Sequence, residues 1–287
     1  MKFITVSLAV SAAALVLQTV SAHASSYQGP TGLELYSLRA DFAKDIPGTL
    51  KFARDLGFHE VELGDTRTSY KMEPAEFKKL LDAHGLKPVA VMLPFDRFRD
   101  DVEGVATDAK ALDVKFAGCA WIPHKGAWNE AQCRAAAAVF NKAGEALAKH
   151  GIKLFYHCHG YEFVPHGDGT LFDLLMTETN PKFVSFEMDI LWVVFPGQDP
   201  VKLFEKYGKR WVLVHLKDLK KGVQTGALTG HTDLTNDVAI GSGQMDYPAI
   251  LKAAQKVGVK YYFIEDESPS VREQLPQSLE FLKHVKW

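Results

Sequence analysis

Residues 129–159, NEAQCRAAAAVFNKAGEALAKHGIKLFYHCH, run from an alanine-rich helical stretch through one glycine into a short apolar strand. Alanine, leucine, lysine and glutamate favour the helix over 129–150, and Gly151 suits its stop. The run at 152–159 is short, apolar and aromatic, as a buried strand should be. A helix joined so closely to a strand predicts a crossover unit. The same unit recurs along the chain. Strand-like runs lie at 33–38 (LELYSL), 59–63 (HEVEL), 88–93 (PVAVML) and 114–122 (VKFAGCAWI), and after 152–159 at 183–190 (FVSFEMDI), 211–217 (WVLVHLK) and 260–266 (KYYFIED). Amphipathic stretches separate them, such as 74–84 (PAEFKKLLDAH), with Pro74 suited to a first helical position and Gly85 to the stop. Eight alternations without a Gly/Ser linker predict parallel strands joined by helices. A closed (β/α)8 TIM barrel over residues 25–287 follows, with a doubly wound open sheet as the alternative.

The first 24 residues read as a leader rather than as part of the barrel. Lys2 precedes an apolar run over 4–17, and SAHA at 21–24 offers small residues before a cut after Ala24. The run falls short of the roughly 20 residues a membrane-spanning helix needs, so no stable membrane insertion is expected after cleavage. The expected location is secreted or periplasmic, where phosphorylated metabolites are scarce and an unphosphorylated substrate is favoured. A net charge of −2 with interspersed signs gives no footprint for nucleic acid. Three cysteines without a CxxC spacing predict no disulfide framework. Oligomerisation is left open.

In such barrels chemistry sits where the strands end. The second strand ends in Glu62, the fifth in His157 and His159, and the sixth in Glu187 and Asp189. The seventh ends in His215, Lys217 and Asp218, and the eighth in Glu265, Asp266 and Glu267. Alternation places Glu187 with Asp189, and His215 with Lys217, on shared strand faces. Carboxylates buried together unpaired cost several kcal/mol each. A divalent cation relieves that repulsion, and the oxygen and imidazole donors suit Mn²⁺, Zn²⁺, Co²⁺ or Mg²⁺. Cys158 faces away from the histidines and reads as a small buried hydrophobe. Blander readings stand beside these: a backbone hydrogen bond for His159, a surface ion pair for Lys217 and Asp218, and a solvated position or a lid for His231 in the long 219–247 segment.

Taken in order, Tyr156-His-Cys-His with Glu162-Phe163, Phe186-Glu-Met-Asp189, His215-Leu-Lys-Asp218, Gly241-Ser-Gly-Gln-Met-Asp246 and Ile264-Glu-Asp266 form a set, and LYSLR at 35–39 fits with them. With these motifs the chain resembles the xylose isomerase-like barrels, the sugar phosphate isomerase/epimerase group, in the branch that carries YHNHxxEF. Cys158 stands where that branch usually has Asn, and Ser242 where an acidic residue is common. The resemblance implies four metal ligands, one from each of strands five to eight. Asp189, His215 and Glu265 carry over, with Glu162 as the first ligand and His157 as the alternative or a substrate contact. It further implies His159, Glu265 and Lys217 as the catalytic groups, with His157, Glu62 and Glu187 on a carbohydrate substrate.

The implied activity is a metal-dependent isomerase or epimerase working on an unphosphorylated sugar or keto-sugar through an enediolate. A lyase that cleaves 3-keto-glycosides by β-elimination uses the same equipment. A non-catalytic sugar-binding barrel is the alternative of another class, while a phosphodiesterase of the same fold is disfavoured by the charge. Intact-mass analysis of the protein from its native host should give a chain beginning at or near Ser25 in an exported fraction. A retained Met1 in the cytosol would restore sugar phosphates as candidates.

Overall fold

A computed structural model describes Ser26, Tyr27, Gly29 and residues 31–287; the expected leader over 1–24 lies outside the described residues. Eight strands form the barrel: β1 (Thr31–Glu34), β2 (Glu60–Leu63), β3 (Lys87–Met92), β4 (Phe116–Cys119), β5 (Lys153–His157), β6 (Val184–Asp189), β7 (Trp211–Leu216) and β8 (Tyr261–Ile264). All neighbours are parallel, each strand pairs with the next, and β8 closes on β1. The crossovers are α1 (Ile46–Asp55), α2 (Pro74–Ala83), α3 (Val102–Leu112), α4 (Glu130–Ala148), α5 (Leu171–Glu178), α6 (Pro200–Tyr207), α7 (Tyr247–Val257) and α8 (Val271–His284). The closed barrel is as the alternation of elements predicted, and the open sheet is excluded.

Local chemistry sets the element ends. Asn129 and Gln132 cap α4 reciprocally, each side chain accepting the other's backbone N–H at 3.1 Å. Gly85 follows α2 with φ +69°, and Gly151 follows α4 with φ +74°, a conformation that costs glycine little. The strands are shorter than their apolar runs because the chain turns over the barrel rim sooner. The first run, read as a strand over 33–38, is a strand only to Glu34 and then a 3-10 turn over Leu35–Leu38. Glu34 causes the change, its carboxylate accepting the Tyr36 backbone N–H and capping the turn. The fourth run ends at Cys119, and Ala120–Ile122 form the loop that follows.

Two packing layers result. The larger lies between strands and helices and includes Leu33, Val61, Phe140, Leu154, Tyr156 and Phe186. The smaller fills the barrel with Val89, Ala90, Phe116, Phe155, Leu213 and Phe263. Two glycines make room for its rings. A Cβ on Gly118 would come 2.2 Å from the Phe155 ring, and one on Gly32 2.5 Å from that of Phe263. The next inward position beyond Phe155 is His157, that beyond Leu213 is His215, and that beyond Phe263 is Glu265. The aromatic layer is therefore the floor on which the polar strand ends stand. Gly118→Ala should cost about 1–3 kcal/mol by overpacking, read as a lower urea midpoint with unchanged slope. The double variant Gly118→Ala/Phe155→Leu should recover most of that loss; an unaltered midpoint in Gly118→Ala would contradict the floor packing.

Candidate metal and active site

Strand register assembles the polar layer. His157 of β5 pairs with Glu187 of β6, Asp189 of β6 with His215 of β7, and Glu34 of β1 with Glu62 of β2. Among the described residues two groups bring three ligand atoms within 4.8 Å of one another: His157, Asp189 and His215, and Glu62, Glu187 and His215. All five residues are buried.

The histidines are held from beneath. His157 Nδ1 lies 3.0 Å from Glu187 Oε2, and His215 Nε2 lies 2.5 Å from Glu62 Oε2 and 3.3 Å from Glu187 Oε1. A carboxylate on one ring nitrogen keeps the proton there and turns the other nitrogen outward, as a lone pair on a neutral ring or an N–H on a protonated one. The outward atoms are His157 Nε2, 3.8 Å from Asp189 Oδ2, and His215 Nδ1, 3.9 Å from Asp189 Oδ2 and 2.9 Å from Glu265 Oε2. Lys217 Nζ completes the group, 3.1 Å from Glu265 Oε2, 2.6 Å from Glu267 Oε1 and 3.6 Å from Asp189 Oδ2. Asp189 Oδ2, Glu187 Oε1 and Glu62 Oε1 are buried without a hydrogen-bond partner. So many carboxylate oxygens around two imidazoles form a donor set suited to a divalent cation.

Charge follows this geometry. Burial pushes the His215 imidazolium down, but Glu187, Glu265 and Glu62 together hold its pKa well above the ordinary value. Glu265 is kept ionised in spite of burial by Lys217 and His215. Burial pushes Asp189 up to about 6 against the pull of Lys217, and pushes Glu187 up with help from Glu62. His157 is driven down by burial and by the His215 and His159 rings. His159 is lowered to about 4, first by burial and then by Lys217, so it is neutral at pH 7. Its Nδ1 has no hydrogen-bond partner.

Above this layer opens a cavity of about 380 Å³, whose lining includes His157, His159, His215, Lys217, Glu265 and Trp192. The His159 ring stacks near Trp192 with centroids 5.7 Å apart and meets the Trp121 ring edge-on at 5.6 Å. His231 is exposed, yet its ring lies 5.4 Å from that of Trp121 and it lines the cavity. His159, for which a backbone hydrogen bond is the blander reading, and His231, read as a solvated position or a lid, thus share an aromatic wall through Trp121.

Several expected positions change. Glu162, expected as the first ligand, joins neither group. Its carboxylate turns away from the cavity, accepting from the Tyr156 hydroxyl and, at 3.0 Å, from the His159 backbone N–H. Tyr156 and Tyr161 share a hydroxyl contact of 2.8 Å, and Tyr161 accepts from Ile122 N–H at 3.0 Å. The five-residue step from His157 leads over a turn, not up the strand, so Glu162 braces the His159 backbone. Glu62 and Glu187, expected on substrate, do not line the cavity; they lie beneath His215 and His157. Lys217 and Asp218 are no surface pair. Lys217 is buried among carboxylates, whereas Asp218 accepts backbone N–H groups from Gly241 at 2.9 Å, Gly243 at 3.0 Å and Met245 at 3.3 Å. Cys119, Cys133 and Cys158 are free and buried, and burial raises the Cys158 thiol well above its ordinary value. Glu34, Tyr36, Trp121 and Trp192 were not singled out. Each stands just at or after a strand end, a position that chain order alone could have flagged.

With this geometry the chain can be compared with known proteins. A family model described as the xylose isomerase-like TIM barrel matches residues 50–285, and the chain belongs to that family. It is 27% identical over 176 residues to an inosose dehydratase of Clostridium botulinum, 55% of either chain; it spans about half the length of the curated relatives it matches first. A sugar phosphate isomerase/epimerase from Parabacteroides distasonis, solved by crystallography, is 25% identical with a TM-score of 0.74, covering 93% of this chain and 99% of that one. The fold is also that of a zinc-bound IolI protein, at 16% identity and a TM-score of 0.66, covering 88% of this chain and 96% of that one.

Burial lifts the Glu162 carboxyl from an ordinary 4.5 to about 7, against hydrogen bonds from Tyr156 and the His159 backbone. A carboxyl whose folded pKa is raised binds its proton more tightly when folded, so its contribution to stability falls as pH rises through that window. Glu162→Gln should therefore gain in stability relative to the parent as pH climbs from 4.5 to 7, read by urea unfolding at successive pH values. A constant difference across the window would show that Glu162 is not held in this way.

Proposed function

We propose that the protein is a divalent-metal-dependent enzyme that removes a proton beside the carbonyl of an unphosphorylated sugar or keto-sugar and completes the reaction by β-elimination. The observation that carries this reading is the His159 imidazole, neutral at pH 7, lining the same cavity as His157, His215 and Glu265, with Asp189 buried beside them. His157 Nε2, Asp189 Oδ2, His215 Nδ1 and Glu265 Oε2 would hold the metal. When bound, a divalent cation withdraws charge from a carbonyl oxygen and acidifies the neighbouring C–H. His215 carries a proton among its carboxylates, which cation loading would release, so metal affinity should weaken in acid.

The chain's own groups do the rest. His159 is unprotonated at neutral pH and can take the proton from carbon, while its contacts with Trp121 and Trp192 fix the ring. The electron pair left on carbon forms a double bond as the β-substituent departs with its bonding pair. The imidazolium then returns its proton to the departing oxygen. Lys217, held against Glu265 and Glu267, offers a cation to developing negative charge on the substrate. The indole rings suit the C–H face of a sugar, and among the described residues no arginine lines the cavity to take a phosphate. The inosose dehydratases, by their name, favour elimination. Return of the proton to carbon, giving an isomerase or epimerase, is the second reading, favoured by the name of the Parabacteroides distasonis protein. Export, expected from the leader, fits an unphosphorylated substrate.

The purified protein should hold about one divalent cation per chain, and Asp189→Ala and His215→Ala should each lose it with a near-native far-UV spectrum. His159→Ala should keep the cation and lose about 10²–10⁴-fold in turnover, followed by proton–deuterium exchange and product analysis on a panel of ketoses and 3-keto-glycosides. Full metal content in both ligand variants would remove the assigned site. Loss of metal in His159→Ala would make that residue a ligand.

A further inference from the structure

The cavity over the polar layer adjoins a second cavity of about 460 Å³, and Leu234 and Glu267 line both. We propose that this second cavity binds the departing unit of a two-part substrate: a neutral sugar joined through a bridging oxygen to the ring that reacts. The inference rests on the elimination reading of the first cavity and adds the class of leaving group.

The boundary between the cavities is built to meet a ring. Among the described residues the large hydrophobic side chains left exposed are Tyr36, at 46%, and Leu234, at 45%. Tyr36 lines the first cavity and Leu234 both, so the exposed apolar surface is concentrated where a substrate would cross. The Arg39 guanidinium lies 4.5 Å from the centre of the Tyr36 ring and donates to the Tyr36 carbonyl at 3.1 Å and the Glu267 carbonyl at 3.0 Å. Tyr36 is thereby backed by a fixed group, not left free to swing.

Beyond this lip the lining changes character. Arg39, Lys44 and Arg272 line it with Asp41 and Glu273, the Arg272–Asp41 pair at 2.8 Å, while Glu267 turns its carboxylate to Lys217 of the first cavity. Lys44 forms no ion pair among the described residues and is exposed. Arg39 is engaged by the Tyr36 and Glu267 carbonyls and Arg272 by Asp41, so Lys44 is left as a single cation and not the cluster that recognises a phosphate or carboxylate. Sugar hydroxyls both donate and accept, and a mixed set of charged and hydroxyl groups satisfies both roles.

The boundary also fits the bond that must break. Glu267 contacts Lys217 at 2.6 Å on the first-cavity side, and its backbone carbonyl accepts from Arg39 on the other. A bridging oxygen passing Glu267 would leave the reacting ring over the polar layer and place the second unit in the second cavity. Elimination needs no oxidant or water. The C–H proton goes to the base, the C–O bond breaks with its pair on oxygen, and that oxygen is protonated to a free hydroxyl. One substrate becomes an unsaturated keto-sugar and an alcohol.

The metal-loaded protein should be assayed with the 3-keto derivatives of methyl glucoside and of cellobiose, alone and with Lys44→Ala and Arg272→Ala, which touch only the second cavity. The parent should favour the two-ring compound in kcat/KM. Each variant should lose about tenfold on that compound, the worth of a charge-assisted hydrogen bond, and stay within about twofold on the one-ring compound. Equal effects on both compounds, or none on either, would overturn the subsite. Calorimetric titration with cellobiose and glucose reads the second cavity without turnover. Cellobiose bound about tenfold more tightly than glucose, with the difference lost in Lys44→Ala, upholds the subsite even if neither keto compound reacts, in which case the elimination reading alone fails. Indistinguishable binding of the two sugars overturns it.

Discussion

His215 is the residue about which the site is arranged. One buried imidazole has Glu62 and Glu187 on its lower nitrogen and Glu265 and Asp189 on its upper one. Burying that many carboxylates is tolerable only where positive charge lies between them. The protein supplies it twice, with the protonated ring and with Lys217. Remove either and the remaining groups must take up protons or admit water. The mouth of the barrel is therefore not a set of independently placed residues. Its members fix one another's charge and, through that, one another's position.

The same constraint explains the division between upper and lower carboxylates. Glu62 and Glu187 do not line the cavity; they lie against the His215 and His157 rings and orient them. Asp189 stands beside His215 by strand register and meets the outward side of its ring without lining the cavity, and Glu265, at the end of β8, lines it. Beneath them the floor of Phe155, Phe263 and Leu213 excludes water, which strengthens each electrostatic contact above it. A rigid apolar base under a charged layer keeps the ligand atoms from relaxing apart.

Much of this was legible in the sequence because a barrel repeats one unit. Periodicity gave eight strands and their helices, and alternation within each strand placed Glu187 with Asp189 and His215 with Lys217. What alternation does not encode is height along the barrel axis, since strand stagger is set by closure of the sheet. That is why Glu62 and Glu187 were expected on substrate and lie instead below the histidines. Nor does it encode where a strand gives way to a turn. Glu34 ends β1 by capping Tyr36, and Glu162 lies past a turn whose direction no spacing rule contains. The aromatic wall was hidden for a related reason. Trp121, Trp192 and His231 come from three loops, and only the closed barrel brings those loops together.

Asp218 has a role that reaches beyond the site. Its carboxylate gathers the backbone N–H groups of Gly241, Gly243 and Met245, and Asp218–Leu219 pairs with Asp237–Val238 in a short antiparallel ladder. The two ends of the long segment after β7 are thus clasped at its base, next to the buried cluster. Closing a loop at its stem makes the entropy of its tip nearly independent of the rest of the chain, because added length costs only logarithmically. The span between Lys220 and Asn236, which carries His231 and Leu234 over the cavity, can then be rewritten in evolution or in the laboratory as an interchangeable cassette. Substrate range could drift by altering that cassette while the ligand-bearing strands keep their register.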